Sequence, residues 1–527
     1  MRPLFCRMVA AAFCSWAWTT SAALRYVDVN STNALPPFTN WSTAATSIQD
    51  AIDVALDGDH VLVADGVYAT GGQVLYGVTN RVSISRALTV ESVHGPATTI
   101  IQGYLDQGRM GPVFSPNCVR CAYLANGAAL IGFTLTNGAT SDGGSGGGVY
   151  CESTAARVSN CILISNSVPD LGGGARSGTL VGCSLIGNSA PGDGGGAYGC
   201  ILSNCALAWN WSGLLGGGAS SSTLWNCVLA TNSAFEGGGA AGSTLHNCQL
   251  LGNEAPLEAA GGAVDSDLNN CLLRGNNGRI AGGAARATMN HCTVVGNFAS
   301  WAGGVDQGAL TNCIVYDNAA YYTNPNTRDS LLDHCCTTPE EGPGCITNAP
   351  LFIDAAAGNF RLATNSPCIN AGNNSVVTGS TDLDDNARLK GGAVDIGAYE
   401  LQAPTSVISY AWLQQYALPN DGSADYADPD HDGHNTWQEW IAGTNPTNSA
   451  SVLKMLSAVA TNNPAGILVS WQSVPERVYD LQRSPNLGLQ PAFSLIQTNI
   501  PGQPGLTSFN DTNAPAAAHY FYRVIVH

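Results

Sequence analysis

Lysine is almost absent: of 527 residues, only positions 390 and 454 carry it. Lys and Arg together number 20 against 38 Asp and Glu, for a formal charge of −18. A chain this acidic has little cationic surface to set against phosphates, which excludes nucleic acid and anionic membrane surfaces as partners. Charge of either sign is scarce, at 11% of residues, while 45% are apolar, and that combination excludes disorder. No apolar stretch of membrane-spanning length follows residue 24. No segment sustains the apolar spacing of a long helix. The 62 glycines lack the period of three that collagen requires. What remains is a chain long enough for roughly two to four domains, with a surplus of glycine and 18 cysteines to explain.

Arg2 and Arg7 precede an uncharged stretch from Met8 to Leu24, which ends in the small residues Ser21, Ala22 and Ala23. This is the layout of a secretory signal peptide over residues 1–23. It predicts a secreted or cell-surface protein with no membrane span in the mature chain, in a compartment that permits disulfides.

Cysteines recur at 161, 183, 205, 227, 248, 271, 292, 313 and 335, in steps of 21 to 23 residues. Five residues after each of the first eight stands an asparagine, at 166, 188, 210, 232, 253, 276, 297 and 318. A glycine pair, always followed by Ala or Val, ends at 148, 174, 196, 218, 239, 262, 283 and 304. Three rows on one period of about 22 residues mean a solenoid. Segments such as Cys161-Ile-Leu-Ile and Cys292-Thr-Val-Val are short and strand-like, and they break at Gly or Asn. The expected fold is all-β: a right-handed parallel β-helix, with parallel strands stacked about 4.8 Å apart. Its cysteines form an inward ladder, its asparagines stack at a bend of unusual dihedrals, and its glycines turn a second corner.

One cysteine per coil does not converge four thiolates as zinc requires, so the ladder reads as small buried hydrophobes. Disulfides between parallel neighbours would be strained, because their side chains point the same way. Cys336 with Cys345, across a Pro/Gly loop, is the better disulfide candidate, and Cys118 with Cys121 a weaker one.

These features carry a resemblance. The segment Trp41-Ser-Thr-Ala-Ala-Thr-Ser-Ile-Gln-Asp-Ala-Ile52, then Gly66-Val-Tyr and Arg81-Val-Ser, resembles the opening of secreted pectate-lyase-like β-helix proteins. Asn365-Ser-Pro-Cys-Ile-Asn-Ala-Gly372 with Asp395-Ile-Gly-Ala-Tyr-Glu400 resembles the closing element called choice-of-anchor Q. The resemblance covers residues 24–402 and implies a fold rather than an activity, since such helices carry lyases, hydrolases and adhesins. Ile48, Ile52 and Leu56 read as one face of a short helix that caps the open end.

Residues 403–451 read as a linker containing a helix, from Ser409 to Leu418, and an EF-hand-like calcium loop. Asp428, Asp430 and Asp432 stand at loop positions 1, 3 and 5, Gly433 at 6 and Glu439 at 12. The carbonyl of His434 supplies a further ligand, and Ca2+ is the expected ion. Asn435 departs from the apolar residue usual at position 8. Residues 452–527 show alternating strands and loosely resemble a fibronectin type III-like β-sandwich.

Enzymes on this fold work on an outer strand face, so outward polar rows are the candidate sites. Tyr150, Arg176 and Tyr198 fall on three adjacent coils, two places after their glycine pairs, with Asp142, Asp170 and Asp193 in the preceding loops. Such a set could hold an acidic sugar through calcium while Arg or Tyr abstracts its α-proton. Farther along the loop edge stand Trp211, Phe235, Glu236, Glu258, Arg279 and Trp301, residue types suited to sugar rings. The leading expectation is a monomeric protein that contacts polysaccharide or cell-envelope glycan. A polysaccharide lyase and a structural adhesin or spacer are the alternatives.

Overall fold

The computed structural model describes residues 22–527 apart from 109, 110, 142, 323, 324, 340, 341, 463, 489 and 515–518. The expected signal peptide, all but its last two residues, and Asp142 lie outside the described residues.

From Leu24 to Thr337 each coil passes through three strands and lays them beside those of the coil before. The first sheet has 13 strands, from Leu24–Val27 to Leu331–Asp333. The second follows the cysteines, with 12 strands from Gly66–Tyr68 to Cys336–Thr337. The third follows the glycine corners, with 12 from Gln73–Leu75 to Thr327–Arg328. Coil-to-coil pairing is parallel, as in Thr179↔Ile201, Ser184↔Ala206 and Ala175↔Ala197. This is a parallel β-helix.

Alternation within the short strands builds the interior. The middle residue points inward, so Leu180, Leu202, Leu224, Leu245 and Leu268 form one buried row and Leu163, Leu185, Leu207, Leu229 and Leu250 another. Each such leucine contributes about 1.5–3 kcal/mol by leaving water. The nine ladder cysteines are buried thiols between these rows, as their spacing predicts.

The asparagines stack, though not for the expected reason. Their own φ is ordinary; the left-handed residues are the ones just before them, such as Ser165, Gly187, Trp209 and Thr231, with φ between 53° and 59°. A second left-handed row precedes the cysteines, at Asn160, Asn204, Asn226, Asn247, Asn270 and Asn312. Residues with short polar side chains tolerate that geometry best. The buried asparagines are instead fully bonded. Asn188 Nδ2 donates to Asn210 Oδ1 (3.0 Å) and to the Leu163 carbonyl (2.9 Å), and the pattern repeats on each coil. The glycine pairs pack against this ladder. A Cβ on Gly174 would lie 2.6 Å from the Gly196 carbonyl and 3.0 Å from Asn188 Nδ2, so no other residue fits.

At the N-terminal end, α1 (Ile48–Val54), capped by Ser47, buries Ile48, Ala51 and Ile52 against the first coils. Leu56 lies beyond the helix and is 58% exposed, so Ala55 takes the inward place expected of it. Gln49 pairs with the main chain of Ser83 through both its amide atoms, at 2.7 and 3.3 Å, and so finishes the sheet edge.

The segment after the last coil runs back along the flank of the solenoid. Phe360, Ala398 and Tyr399 pack on Leu272 and Val295, and Leu362, Cys368, Ile369 and Ile396 on Ile314 and Cys336. Asn270, Asn290 and Asn312, at or beside the corners, donate to the carbonyls of Thr381, Val376 and Asn373. The disulfide pairing of Cys336 with Cys345 is corrected here. Cys345 occupies the next rung above Cys335, whose N–H donates to its sulfur at 3.3 Å, whereas Cys336 faces outward into the cluster that holds Cys368. Cys121 turns its thiol to the Thr136 carbonyl, 3.2 Å away.

Downstream lie α2 (Tyr410–Gln415), shorter than the expected helix, and α3 (Thr436–Ala442). Two three-stranded antiparallel sheets then enclose Val469, Trp471, Tyr479, Leu481 and Ile500, a sandwich-like region. Among the described residues no helix is long and apolar enough to cross a membrane.

Candidate functional site

The third sheet brings Tyr150, Arg176 and Tyr198 into one row, with Tyr150 paired to Arg176 and Arg176 to Tyr198. Arg176 Nη1 donates to the Tyr150 hydroxyl at 2.7 Å, and its guanidinium lies 5.1 Å from that ring's centroid. The row extends to residues that sequence reasoning missed. Tyr123 stacks on Tyr150 with centroids 6.0 Å apart and planes 7° from parallel, and Tyr76 continues the file at 6.2 Å. Arg120 also lies over the Tyr150 ring, 4.9 Å from its centroid. It is buried, donates to Asn80 Oδ1, Ser145 O and Gly146 O, and burial pulls its guanidinium down to about 10. Tyr123 donates to Glu152, and burial with that carboxylate raises its phenol. The signal for Tyr123 was its place in Val119–Leu124, which is in register with Tyr150.

Asp170 accepts from Ser145 Oγ at 3.2 Å, and Asp193 from the Leu215 N–H at 3.2 Å. Burial, aided by nearby Asp170, holds the Asp193 carboxyl above the usual range. Among the described residues neither acid makes an ion pair with Arg176. The outward row closes farther along: Ala241, Val264 and Ala285 are buried under Ala259, Ala260 and Ala281 of their own loops. Small side chains there let the loops fold over the sheet and interrupt the polar row, which resumes at Asp306, in register with Ala285, and at Arg328, its ion-pair partner on the next coil.

The second set lies along the edge between the asparagine ladder and the glycine corners, where a short fourth ladder runs. Trp211 stands on that ladder, in register with Ser189 and Ser233. Phe235, Glu236, Glu258, Arg279 and Trp301 stand in the loops that follow, so Trp211 does not share their row. Trp211 is 47% and Trp301 41% exposed. Trp301 packs against Tyr322 at 4.7 Å, and Arg328 lies over it at 5.7 Å. Arg279 pairs with Glu258 at 3.6 Å, and Arg286 with Glu236 at 2.9 Å and Asp265 at 2.7 Å. Phe298, also 47% exposed on this ladder, is a residue the sequence reading passed over.

Three of the predicted metal residues converge. One carboxylate oxygen from each of Asp428, Asp430 and Asp432 lies within 4.8 Å of the others. Gly433 has φ +95°, and α3 carries Glu439 to the same place. Oδ2 of Asp430, Oδ2 of Asp432 and Oε2 of Glu439 are buried without partners. Burial beside Asp430 and Asp432 pushes the Glu439 carboxyl up to about 7. Converging oxygens with no donor to satisfy them fit a hard cation. The His434 N–H donates to Asp432 Oδ1 at 2.8 Å. Asn435 is polar at position 8 because it caps α3, in a reciprocal capping box with Gln438.

No protein-family model matches the chain, and no curated protein does. Solved structures do. One is pectate lyase Pel9A, 13% identical, covering 72% of this chain and 97% of its own at a TM-score of 0.41. A rhamnogalacturonan lyase is 11% identical over 63% and 91%, at 0.35. The A-module of the mannuronan C-5 epimerase AlgE4 of Azotobacter vinelandii is 14% identical over 57% and 95%, at 0.29. These neighbours are pectate lyase-like parallel β-helix proteins. At identities of 14% or less and TM-scores below 0.5 they carry no argument about what this chain does.

Proposed function

We propose that the protein is exported through its N-terminal segment and holds polysaccharide or cell-envelope glycan on the outside of its β-helix, residues 24–402, as a monomer. The observation that carries the reading is the rigid edge with exposed Trp211, Phe298 and Trp301. Exposed indole and phenyl faces on an immobile backbone suit the apolar faces of sugar rings, and their burial by ligand costs little conformational entropy. The closing element of the choice-of-anchor Q type braces the flank of the solenoid. Residues 403–451 form a junction stiffened by Ca2+, held by Asp428, Asp430, Asp432, Glu439 and the His434 carbonyl, before a fibronectin type III-like module over 452–527. A glycan array probed with the mature chain tests the reading. Binding to a defined set of glycans that Trp211→Ala and Trp301→Ala each weaken is expected. Silence across the array favours a spacer and refutes it.

A second reading rests on the Arg176–Tyr150 contact, which places a guanidinium and a phenol on adjacent coils of one outward row. It is elimination from an acidic glycan, with Arg176 or Tyr150 taking the α-proton and Tyr198 beside them. The product is an unsaturated uronate, so new ultraviolet absorbance that Arg176→Ala abolishes supports it. Activity that Arg176→Ala retains removes the assignment.

A further inference from the structure

The fourth ladder has a register that the proposed glycan contact leaves unused. Trp211 is followed in line, one residue per coil, by Ser233, Glu254, Asn277 and Phe298. In-register parallel strands point these side chains the same way. An exposed aromatic ring therefore stands at each end of a five-rung row, with a hydroxyl, a carboxylate and an amide between them. The rings are four coil rises apart, about 19 Å. One coil rise is close to the length of one pyranose unit in an extended chain. A linear glycan laid parallel to the solenoid axis would meet one polar side chain per sugar and a ring at either end.

Charge selects among such glycans. Glu254 is exposed and has no ion-pair partner among the described residues. The arginines beside the row are already engaged: Arg279 by Glu258, Arg286 by Glu236 and Asp265, Arg328 by Asp306. A uronate would find the Glu254 carboxylate to repel it, with those three guanidiniums already paired to acids and Arg274 stacked on Phe360.

We infer that this row is a clamp for a linear, uncharged glycan of at least five units, running from Trp211 to Phe298. The inference rests on the proposed glycan contact and adds its direction, minimum length and charge. Two end contacts joined by one ligand act as linked subsites, so affinity rises once a chain spans both.

The test is calorimetric titration of the mature chain with cello-, manno- and xylo-oligosaccharides of two to eight units, and with oligogalacturonates of the same lengths. For at least one uncharged series, Kd falls by about tenfold or more between four and six units. Trp211→Ala and Phe298→Ala each return the hexasaccharide to the affinity of the tetrasaccharide, while Phe298→Tyr keeps the step. Both positions are exposed, and unchanged circular dichroism confirms that the variants fold. Oligogalacturonates of equal length bind more weakly. The inference is overturned if the step is missing, if it survives both alanine variants, if oligogalacturonates bind more tightly, or if Trp211→Ala dissolves a dimer instead. Glycan binding that Trp211→Ala weakens without any dependence on length would sink the clamp and leave the proposed function standing. Absence of all glycan binding would sink both.

Discussion

Replacing Asn232 by alanine removes one rung of the asparagine ladder, and its cost can be worked from the bonds it makes. Asn232 Nδ2 donates to the Leu207 carbonyl at 2.9 Å and to Asn253 Oδ1 at 3.0 Å. Its Oδ1 accepts from Asn210 N at 3.0 Å and from Asn210 Nδ2 at 2.9 Å. After truncation Asn253 Oδ1 still accepts from the Asn232 N–H. Two buried donors, the Asn210 amide and one proton of its side chain, lose their acceptor. At about 1–3 kcal/mol for each buried group left unsatisfied, the loss is about 2–6 kcal/mol. A water admitted into the space would bring it towards the lower end. In a solenoid each repeat touches only its neighbours, so the damage centres on the coils bearing Asn210, Asn232 and Asn253. Urea unfolding followed by near-ultraviolet circular dichroism measures the change. The exposed control Asn30→Ala should stay within about 0.5 kcal/mol of the parent. Asn232→Asp should do no better than alanine at neutral pH: it accepts from Asn210 but sets bare oxygens against Asn253 Oδ1 and the Leu207 carbonyl. A loss below about 1 kcal/mol for Asn232→Ala would refute the view that side-chain satisfaction holds this corner together.

Calorimetry should find one Ca2+ per chain at the acidic loop, lost in Asp430→Ala, with a rise in Tm on adding the ion to the parent and none in the variant. The ladder thiols should resist alkylation until the solenoid opens, because all nine are buried out of reach of a reagent in water; half-buried Cys345 should react first, and early labelling of Cys227 or Cys248 would contradict the sealed interior. In the closing segment Asp395 and Glu400 lie buried together, and burial raises them to about 7 and about 9 despite Arg388. Folded pKa values above unfolded ones mean that the folded state holds more protons, so stability falls as pH rises from about 4 towards 9. Glu400→Gln should flatten that slope in thermal melts, and an unchanged slope would count against the coupling.

The interior was legible because it repeats. Cysteine, asparagine and glycine rows each report one inward or corner position, and eight or nine copies of one constraint leave a period that no local ambiguity hides. Even there the physical reason was partly misread. Asparagine was assigned the strained dihedral, whereas the residue before it bears the strain and the asparagine bonds its neighbours on the ladder. Contacts between distant segments left no such trace. Arg120 over Tyr150 joins positions 30 residues apart in sequence, and Cys336 beside Cys368 depends on a segment that turns back along the solenoid. The acidic loop was readable residue by residue because its candidate ligands sit within 12 consecutive positions.

The contrast between rows that repeat and rows that do not also says where function should be sought. A parallel β-helix forces inward positions to match their neighbours one coil away, since each stacks on the next at a fixed rise. Outward positions carry no such demand, and departures from uniformity there need another cause. Along the third sheet the outward row passes from Tyr150, Arg176 and Tyr198 to Ala241, Val264 and Ala285, and the change coincides with loops closing over the sheet. Packing explains that departure. On the fourth ladder no loop among the described residues covers Trp211 or Phe298, each 47% exposed, and stability has no use for large rings left in water. A solenoid with only 11% charged residues could have kept this edge small and polar at no structural cost. Rings at both ends of an otherwise polar row are therefore a feature that folding does not account for, and one on which a ligand should act.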